Sequence, residues 1–487
     1  MKATTVLGGV QVVQMLVVFI RAKFIALLLG PSGMGVYSIF QSVTASVGLI
    51  SNLGIYQSSI RDISQAKERN NEIEIVNVIT IFKSLVWFVA FLGTIICVFC
   101  APFISLLIFG NTDYIWEFSF LSIGIFLSAF SLSNTTILQG TRNLKYLSKA
   151  SLLGSVFSLI ISIPLYFWCG IKGIVPSIVM GYLISFIIGK YYVSKLEIKS
   201  TLNISTFYSN LKKGYPIIKL GIILMLSSSF LTLSGLILNS IISNYGTLED
   251  VGYIQSSFSL ANQSIIIIIT VLASDYYPRL AGVINDFLEK IQKVINDQIE
   301  FITLLVAPLT MVLILFTPFI VKLLLSQKFM VIVPIVRWMA LCLPFRCLWI
   351  VMSYVILAKG DKKKFFLYDG VIGNGLPLIM NIIAYIEYGI KGIGVAFTLS
   401  SIFSSFIILT LVWRKFNIKL EKKFIFTFIF YYILILVTFL LSSFPKYWLF
   451  LPLKILIVCL SVIVSIIIIN RRTQYLNKFK NKIIIFK

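Results

Sequence analysis

Long apolar runs, separated by short polar segments, extend along almost the whole chain. A helix needs about 20 mostly apolar residues to cross the hydrocarbon core of a bilayer. Fourteen runs are long enough, and the third can tilt or break near Pro102. They cover approximately residues 6–29, 37–59, 75–108, 116–138, 146–169, 174–192, 217–244, 251–277, 301–325, 331–358, 365–388, 393–413, 424–443 and 449–469. The pattern therefore predicts an all-α polytopic membrane protein with about 14 spans.

The composition supports this prediction. Apolar residues make up 58% of the 487 residues and charged residues 12%, whereas soluble domains are about half apolar and about one quarter charged. The net charge of +24 is high enough to suggest a nucleic-acid partner. Most Lys and Arg, however, fall in alternate loops and in the two terminal segments, as the positive-inside rule describes. We therefore expect both termini in the cytoplasm and no nucleic-acid partner.

Several classes of chemistry are disfavoured by what the chain contains. There is no His, which removes His-based acid–base catalysis and most zinc sites. There is no GxxxxGK[ST] motif, and the short loops leave no room for a nucleotide-binding domain. Cys97 and Cys100 form a CxxC motif, but it lies inside a predicted span and is interpreted as packing. We expect no cofactor, no metal and no enzymatic activity.

The chain also repeats itself. The segment Gly-Ile-Lys-Gly-Ile occurs at 170–174 and again at 389–393, in each case after a span with a stripe of small or polar residues. The stripe contains Ser158 in the first copy, and Asn374 and Asn381 in the second. Each repeat unit holds six spans, so the two copies have the same orientation, as in two-lobed transporters with a site between the lobes. The alternative is a duplication retained only for packing.

The repeat predicts four regions. We expect an N-terminal lobe at residues 1–200 with helices 1–6, and a C-terminal lobe at 201–416 with helices 7–12. Two extra transmembrane helices follow at 417–470, and a basic cytoplasmic tail at 471–487.

Charged and polar residues inside predicted spans are the candidates for a binding site, because a charge at mid-bilayer costs at least about 3 kcal/mol. Arg21 is the strongest candidate, since Gln14 precedes it by two helical turns on the same face. Arg337 and Arg346 lie on opposite faces of one span, so at most one is expected to face a cavity. The remaining candidates are Lys23, Asn52, Lys83, Asn374 and Asn381. Snorkelling or pairing is the alternative for any single one, and we expect Asp275 and Arg279 to form an ion pair. Cations with few acids beside them favour an anionic cargo.

One stretch carries a family resemblance. Residues 28–37, Leu-Leu-Gly-Pro-Ser-Gly-Met-Gly-Val-Tyr, follow Arg21-Ala22-Lys23, and a related turn occurs at Gly246 and Val251-Gly252-Tyr253. These segments and the paired Gly-Ile-Lys-Gly-Ile resemble bacterial O-antigen and polysaccharide flippases of the multidrug/oligosaccharidyl-lipid/polysaccharide exporter superfamily. The resemblance extends over about residues 1–416.

The resemblance implies two six-helix lobes around a cavity that opens alternately to either side of the bacterial inner membrane. The implied cargo is an undecaprenyl-diphosphate-linked oligosaccharide, moved from the inner to the outer leaflet for O-antigen or other surface polysaccharide synthesis. Arg21 fits the role of holding the diphosphate. A monomer, working beside a polysaccharide polymerase and chain-length machinery, is implied as well.

Two alternatives remain open from the sequence. An ion-coupled exporter of drugs or small metabolites would use Asp275, Glu300 and Asp369 as coupling acids. A membrane polymerase or ligase is less favoured, because the outer loops are only a few residues long.

Overall fold

The computed structural model describes residues 2–69, 71–198, 204–271, 275–444 and 451–473. Every regular element within these ranges is a helix, as predicted. The predicted basic tail lies outside the described residues from position 474 onward. The α-helices are α1 (Lys2–Leu28), α2 (Gly30–Asn52), α3 (Ile55–Glu68), α4 (Glu72–Phe109), α5 (Ile115–Gly140), α6 (Leu144–Cys169), α7 (Ile174–Ser194), α8 (Ile204–Lys213), α9 (Tyr215–Tyr245), α10 (Leu248–Val271), α11 (Tyr277–Val283), α12 (Leu288–Leu324), α13 (Val333–Leu341), α14 (Leu343–Ala358), α15 (Lys362–Phe365), α16 (Gly373–Tyr388), α17 (Ile390–Phe416), α18 (Lys422–Ser443) and α19 (Leu451–Thr473).

Many of these helices are long and apolar enough to cross a membrane. Among the described residues, nine apolar helical stretches meet that condition, or ten if the bent pair Gln327–Leu341 and Leu343–Ala358 is one span. One of the nine, Leu144–Ser194, contains both α6 and α7. The chain is therefore a polytopic membrane protein, and the number fourteen remains a prediction.

Several helix boundaries differ from those expected. Helix α2 begins at Gly30 and ends at Asn52, because Leu53 and Gly54 adopt left-handed backbone angles, with φ of 48° and 66°. Helix α4 runs without interruption through Pro102, since transmembrane helices can satisfy the backbone groups that a proline frees. The predicted span at 331–358 is instead bent by 43° between α13 and α14, where Pro344 lies in the first turn of α14.

The first compact unit comprises Met1–Gln255 together with Leu323–Lys328. One of its buried clusters joins four helices through Ile63 of α3, Phe82 of α4, Ile137 of α5 and Ile217 of α9. Each of these side chains is almost completely buried, and close van der Waals packing of this kind favours the association of transmembrane helices. The cluster fixes α3 and α9 against α4 and α5.

Two glycines form a reciprocal contact inside this unit, where the first turns of α2 and α10 cross. A Cβ built on Gly35 would lie 2.0 Å from the carbonyl oxygen of Leu248, and one built on Gly252 would lie 2.0 Å from that of Pro31. The Ser32 hydroxyl donates a hydrogen bond of 3.1 Å to Glu249 at the same crossing. Only residues without a side chain permit so close an approach of two helices.

The second compact unit comprises Ser256–Lys322 and Phe329–Lys487. Its main buried cluster contains Ile295 and Met311 of α12, Val351 of α14, Ile408 of α17 and Ile435 of α18. The two helices predicted to lie outside the repeat, α18 and α19, therefore contribute to this packing, since Val458 of α19 is also a member.

The two Gly-Ile-Lys-Gly-Ile segments have the same local geometry. Gly170 and Gly389, the first residues of the two copies, each end a helix with a positive φ, 56° and 62°. A Cβ on Gly173 would lie 2.2 Å, and one on Gly392 2.4 Å, from a carbonyl oxygen of the preceding helix. L residues with a side chain rarely adopt the positive φ of Gly170 and Gly389. The close contacts of Gly173 and Gly392 leave no space for a Cβ. The sequence repeat is therefore a structural repeat.

Candidate functional site

A buried polar cluster in the first unit surrounds Arg21. Helix α1 carries Arg21, and the guanidinium donates a hydrogen bond of 2.9 Å to the Ser158 hydroxyl on α6 and one of 3.5 Å to the Tyr37 hydroxyl on α2. Gln41, one turn after Tyr37 on α2, donates to the same hydroxyl at 3.3 Å. Three helices thus meet at one guanidinium.

Helix α7 closes the cluster from another side. Ser177 donates a hydrogen bond of 3.0 Å to the buried hydroxyl of Tyr166, and Tyr166 and Tyr182 both lie within electrostatic range of Arg21. Gly181 allows this approach, because a Cβ there would lie 2.5 Å from the Ser158 hydroxyl oxygen. The side chains around Arg21 are therefore neutral hydroxyl and amide groups.

This arrangement leaves the positive charge of Arg21 uncompensated. In the described part of the chain, no carboxylate forms an ion pair with Arg21. Its Nε is buried and has no hydrogen-bond partner among the described residues. A guanidinium offers five N–H donors in a planar fork that matches phosphate and carboxylate oxygens. The cluster holds this fork in place and is chemically suited to an anion.

The other candidate residues on α1 and α2 do not accept a hydrogen bond from Arg21. Gln14 and Lys23 are half-buried on α1, and Asn52 is half-buried in the last turn of α2. The hydrogen bonds from Arg21 go to Tyr37 and Ser158 and not to these residues. They remain predicted cavity residues.

Lys83 belongs to a different cluster. It is half-buried on α4 within electrostatic range of Lys190 on α7. One turn further along α4, Trp87 packs on Phe130 with ring centroids 4.9 Å apart, and the Lys190 ammonium lies 5.9 Å from the ring centroid of Phe186. The structure therefore places Lys83 beside a second cation and an aromatic group of side chains.

In the second unit, Arg346 occupies a polar–aromatic site. Its guanidinium donates a hydrogen bond of 2.5 Å to the Asn262 side chain and lies 5.1 Å from the ring centroid of Phe397. Phe258 packs edge-on against that ring, with the centroids 5.1 Å apart. Arg346 is half-buried, so a hydrogen-bonded and cation–π-supported arginine remains partly accessible.

Arg337 connects three helices through hydrogen bonds to the backbone. It is only 9% exposed and donates hydrogen bonds to two backbone carbonyl groups, of Ile314 on α12 at 3.2 Å and of Ser442 on α18 at 2.6 Å. These contacts tie α13 to α12 and α18. Of the two arginines on the bent pair of helices, Arg346 is the more accessible one.

The two asparagines of the second stripe also differ. Asn374 donates to the backbone carbonyl groups of Asp369 and Gly370, both at 3.1 Å, across a π-helical segment at Phe366–Ile372. Asn381 is buried, and its side-chain oxygen has no hydrogen-bond partner in the described part of the chain. Asp369 itself accepts hydrogen bonds from Ser353 at 2.6 Å and Trp349 at 3.3 Å.

Residue spacing found the cations but not the groups that hold them. Ser158 was visible as part of a stripe, and Tyr37 as part of the turn that carries the resemblance. Asn262 and Phe397 gave no signal in the sequence, because they reach Arg346 from helices distant along the chain. The expected ion pair of Asp275 and Arg279 is confirmed at 2.8 Å, with both side chains exposed. Among the described residues, no group of three or more His, Cys, Asp or Glu is arranged to hold a metal ion.

Comparison with known protein families gives a family. A model described as polysaccharide biosynthesis protein matches residues 24–334, more than half of the chain. The chain belongs to the polysaccharide biosynthesis protein family. No curated protein sequence matches this family member.

Solved structures give the fold of this polysaccharide biosynthesis protein. It is similar to an inward-facing multidrug resistance MATE family transporter of the MOP superfamily, with a TM-score of 0.67 at 14% identity over 88% of this chain and 96% of the other. It is also similar to the lipid II flippase MurJ in an inward closed conformation, with a TM-score of 0.65 at 16% identity over 96% and 99% of the two chains. A MATE P26A mutant gives a TM-score of 0.59 at 17% identity over 90% and 96%. The predicted all-α membrane fold is confirmed, and it is the fold of these MATE and MurJ structures.

Proposed function

We propose that this protein is a flippase that moves an undecaprenyl-diphosphate-linked oligosaccharide from the inner to the outer leaflet of the bacterial inner membrane. The cargo serves the synthesis of O-antigen or another surface polysaccharide. The protein works by alternating access and catalyses no covalent step. The observation that carries the proposal is the uncompensated guanidinium of Arg21, held among hydroxyl groups inside a membrane protein of a polysaccharide biosynthesis family.

The membrane potential favours the proposed direction of transport. A cargo diphosphate carries about two negative charges, and an outward step in an inside-negative potential gains about 2.3 kcal/mol per charge per 100 mV. The protein needs only to lower the cost of taking the diphosphate out of water. Arg21 in the N-terminal lobe (1–200) and Arg346 in the C-terminal lobe (201–416) are the cations that we assign to this role, and we assign both termini to the cytoplasm. The protein acts as a monomer beside the polysaccharide polymerase.

The test uses a strain that lacks the gene and is complemented with variants of the full chain. We expect Arg21→Gln to abolish surface polysaccharide and to leave finished lipid-linked oligosaccharide on the cytoplasmic face. Arg21→Lys keeps the charge but loses the fork, so we expect partial activity. The control is Arg69→Gln, which removes an exposed arginine of the same unit that is paired with Glu74 at 2.7 Å. Each variant is quantified in the membrane fraction.

Normal polysaccharide in Arg21→Gln, at a normal protein level, would contradict the role of Arg21. Lipid-linked units that reach the outer leaflet of the deletion strain but are not polymerised would point to an enzyme. An unchanged lipid-linked pool in the deletion strain would remove the proposed cargo altogether.

Asp369 favours a second candidate, an ion-coupled exporter of small molecules. It is a half-buried carboxylate inside an apolar helical stretch, hydrogen-bonded to Ser353 and Trp349, and buried acids are typical of proton relays in transporters. Cation-dependent drug resistance on expression, lost in Asp369→Asn and retained in Asp286→Asn, would favour this candidate. Asp286 is the control because it is exposed and paired only with Lys290, four residues later.

A further inference from the structure

A groove in the second unit lies between the π-helical segment at Phe366–Ile372 and the last turns of α17. It has a volume of about 580 Å³ and is more open than enclosed. Phe403, Phe406, Ile407 and Leu411 of α17 form its wall, and Tyr368 lines it from the π-helical segment. Thr410 also lines the wall, but its hydroxyl donates a hydrogen bond to the Phe406 carbonyl group of its own helix. The volume falls in the range of about 300–1,000 Å³ that is typical of ligand sites.

The wall of the groove is apolar and largely uncovered. The side chains of Phe403 and Phe406 are 55% and 57% exposed. In a membrane protein, side chains of this kind on the outer face of an apolar helix contact lipid chains. The groove therefore differs from the Arg21 and Arg346 sites, whose walls are hydroxyl, amide and aromatic groups around a half-buried guanidinium.

Two cations close one end of the groove. Arg414 and Lys415 occupy the last turn of α17 and line the groove together with the aromatic wall. Cations near a helix C-terminus interact favourably with the helix dipole, which is enough to explain their presence but not the groove beneath them. A groove with cations at one end and an apolar wall is complementary to a phospholipid, which has an anionic headgroup and acyl chains.

The two cations are not equivalent. Lys415 forms an ion pair with Asp361, and Lys364 lies 3.8 Å from the same carboxylate. Arg414, in contrast, is exposed and forms no hydrogen bond or ion pair with any of the described residues. Asp361 therefore neutralises Lys415 and holds it at the rim, while the guanidinium fork of Arg414 stays available for phosphate oxygens.

We propose that this groove is a binding site for one anionic glycerophospholipid, with its phosphate on Arg414 and an acyl chain along Phe403, Phe406 and Ile407. Basic pockets between transmembrane helices, near the surface that carries the positive loops, are where proteins bind anionic lipid headgroups. The site is separate from the cargo and does not depend on what the protein transports.

The experiment measures lipid binding to the purified full-length protein by native mass spectrometry. Phosphatidylglycerol and phosphatidylcholine, with identical acyl chains, are titrated separately in detergent. We expect the wild-type protein to bind one phosphatidylglycerol about tenfold more tightly than phosphatidylcholine, and Arg414→Gln to lose this difference, as expected from removing one charge-assisted hydrogen-bonding group. The matched control is Lys391→Gln, which removes an exposed cation from the first turn of the same helix.

A second variant tests the groove itself. Ile407→Trp fills the groove with a larger side chain and changes no charge. Because the acyl chain then has less room, we expect phosphatidylglycerol to bind about tenfold more weakly although Arg414 is intact. Equal affinity of the wild type for the two lipids, or unchanged binding in Arg414→Gln, would overturn the proposal. Unchanged binding in Ile407→Trp would also overturn it, because a headgroup held only by surface charge, or a free phosphate, does not need the groove.

Discussion

The reciprocal contact of Gly35 and Gly252 gives a sharp prediction, because the atoms that a methyl group would meet belong to the backbone. The substitution Gly252→Ala places a Cβ 2.0 Å from the Pro31 carbonyl oxygen, 2.9 Å from its carbon and 3.0 Å from the Gly35 nitrogen. None of these atoms can move aside by rotating a side chain. The crossing helices α2 and α10 must therefore separate.

The size of the effect follows from the distances. Non-bonded heavy atoms reach their optimal separation at about 3.5–4.0 Å, so the 2.0 Å contact requires the first turns of α2 and α10 to move apart by about 1.5 Å. Forcing one extra carbon into a packed contact typically costs about 1–3 kcal/mol, or roughly 5- to 150-fold in the equilibrium. The displacement also stretches the 3.1 Å hydrogen bond from Ser32 to Glu249.

The measurement is the fraction of protein that stays monodisperse after heating in detergent, with the midpoint determined for each variant. The matched control is Gly235→Ala in α9, where a Cβ would meet no atom of another described segment within 4 Å. Because alanine favours a helix over glycine by about 1 kcal/mol, this control is expected to have the same or a higher midpoint. Gly252→Ala is expected to lower it.

A double variant tests whether the two glycines act through one contact. Gly35→Ala meets the Leu248 carbonyl oxygen at 2.0 Å and is expected to cost as much as Gly252→Ala. Once the helices are apart, the second methyl group costs less, so the double variant is expected to be less destabilised than the sum of the single ones. A midpoint for Gly252→Ala equal to that of Gly235→Ala would refute the reasoning, and simple additivity would refute the shared contact.

The remaining predictions concern two ties in the second unit. A hydrogen bond from Lys415 holds the pKa of Asp361 below its ordinary value. The ionised Asp361 therefore stabilises the folded state at a pH above the ordinary pKa of an Asp. This stabilisation is lost as the pH falls through the lowered pKa of the folded state. We expect Asp361→Asn to lower the thermal midpoint at neutral pH but not in acid, whereas Asp286→Asn, which breaks only a local pair, changes little; a difference independent of pH would contradict this. Arg337→Met removes hydrogen bonds to two carbonyl groups, including that of Ser442, each worth about 1.5–3 kcal/mol. A lower midpoint in detergent is expected, and an unchanged midpoint would show that these bonds are not needed.

The sequence alone determined the class of the protein. Apolar runs of membrane length and a low content of charged residues leave lipid as the solvent, because a water-soluble core has no room for so much apolar surface. The repeated Gly-Ile-Lys-Gly-Ile segments predicted a duplicated unit, and the positive φ of Gly170 and Gly389 shows why those glycines are present in both copies. Such features are local, since each is fixed by residues close together along the chain.

Only the tertiary structure showed which groups each arginine of the apolar runs contacts. Arg21, Arg337 and Arg346 give the same signal in the sequence, a cation inside an apolar run. Arg21 donates hydrogen bonds to hydroxyl groups of α2 and α6, and Arg346 contacts Asn262 and the ring of Phe397. Arg337 donates hydrogen bonds to two backbone carbonyl groups. The partners come from helices far apart along the chain, and their approach depends on close crossings such as that of Gly181 with Ser158. Helical periodicity gives the face of a residue but not the neighbour that this face meets, so the role of a buried charge is settled only when the helices pack.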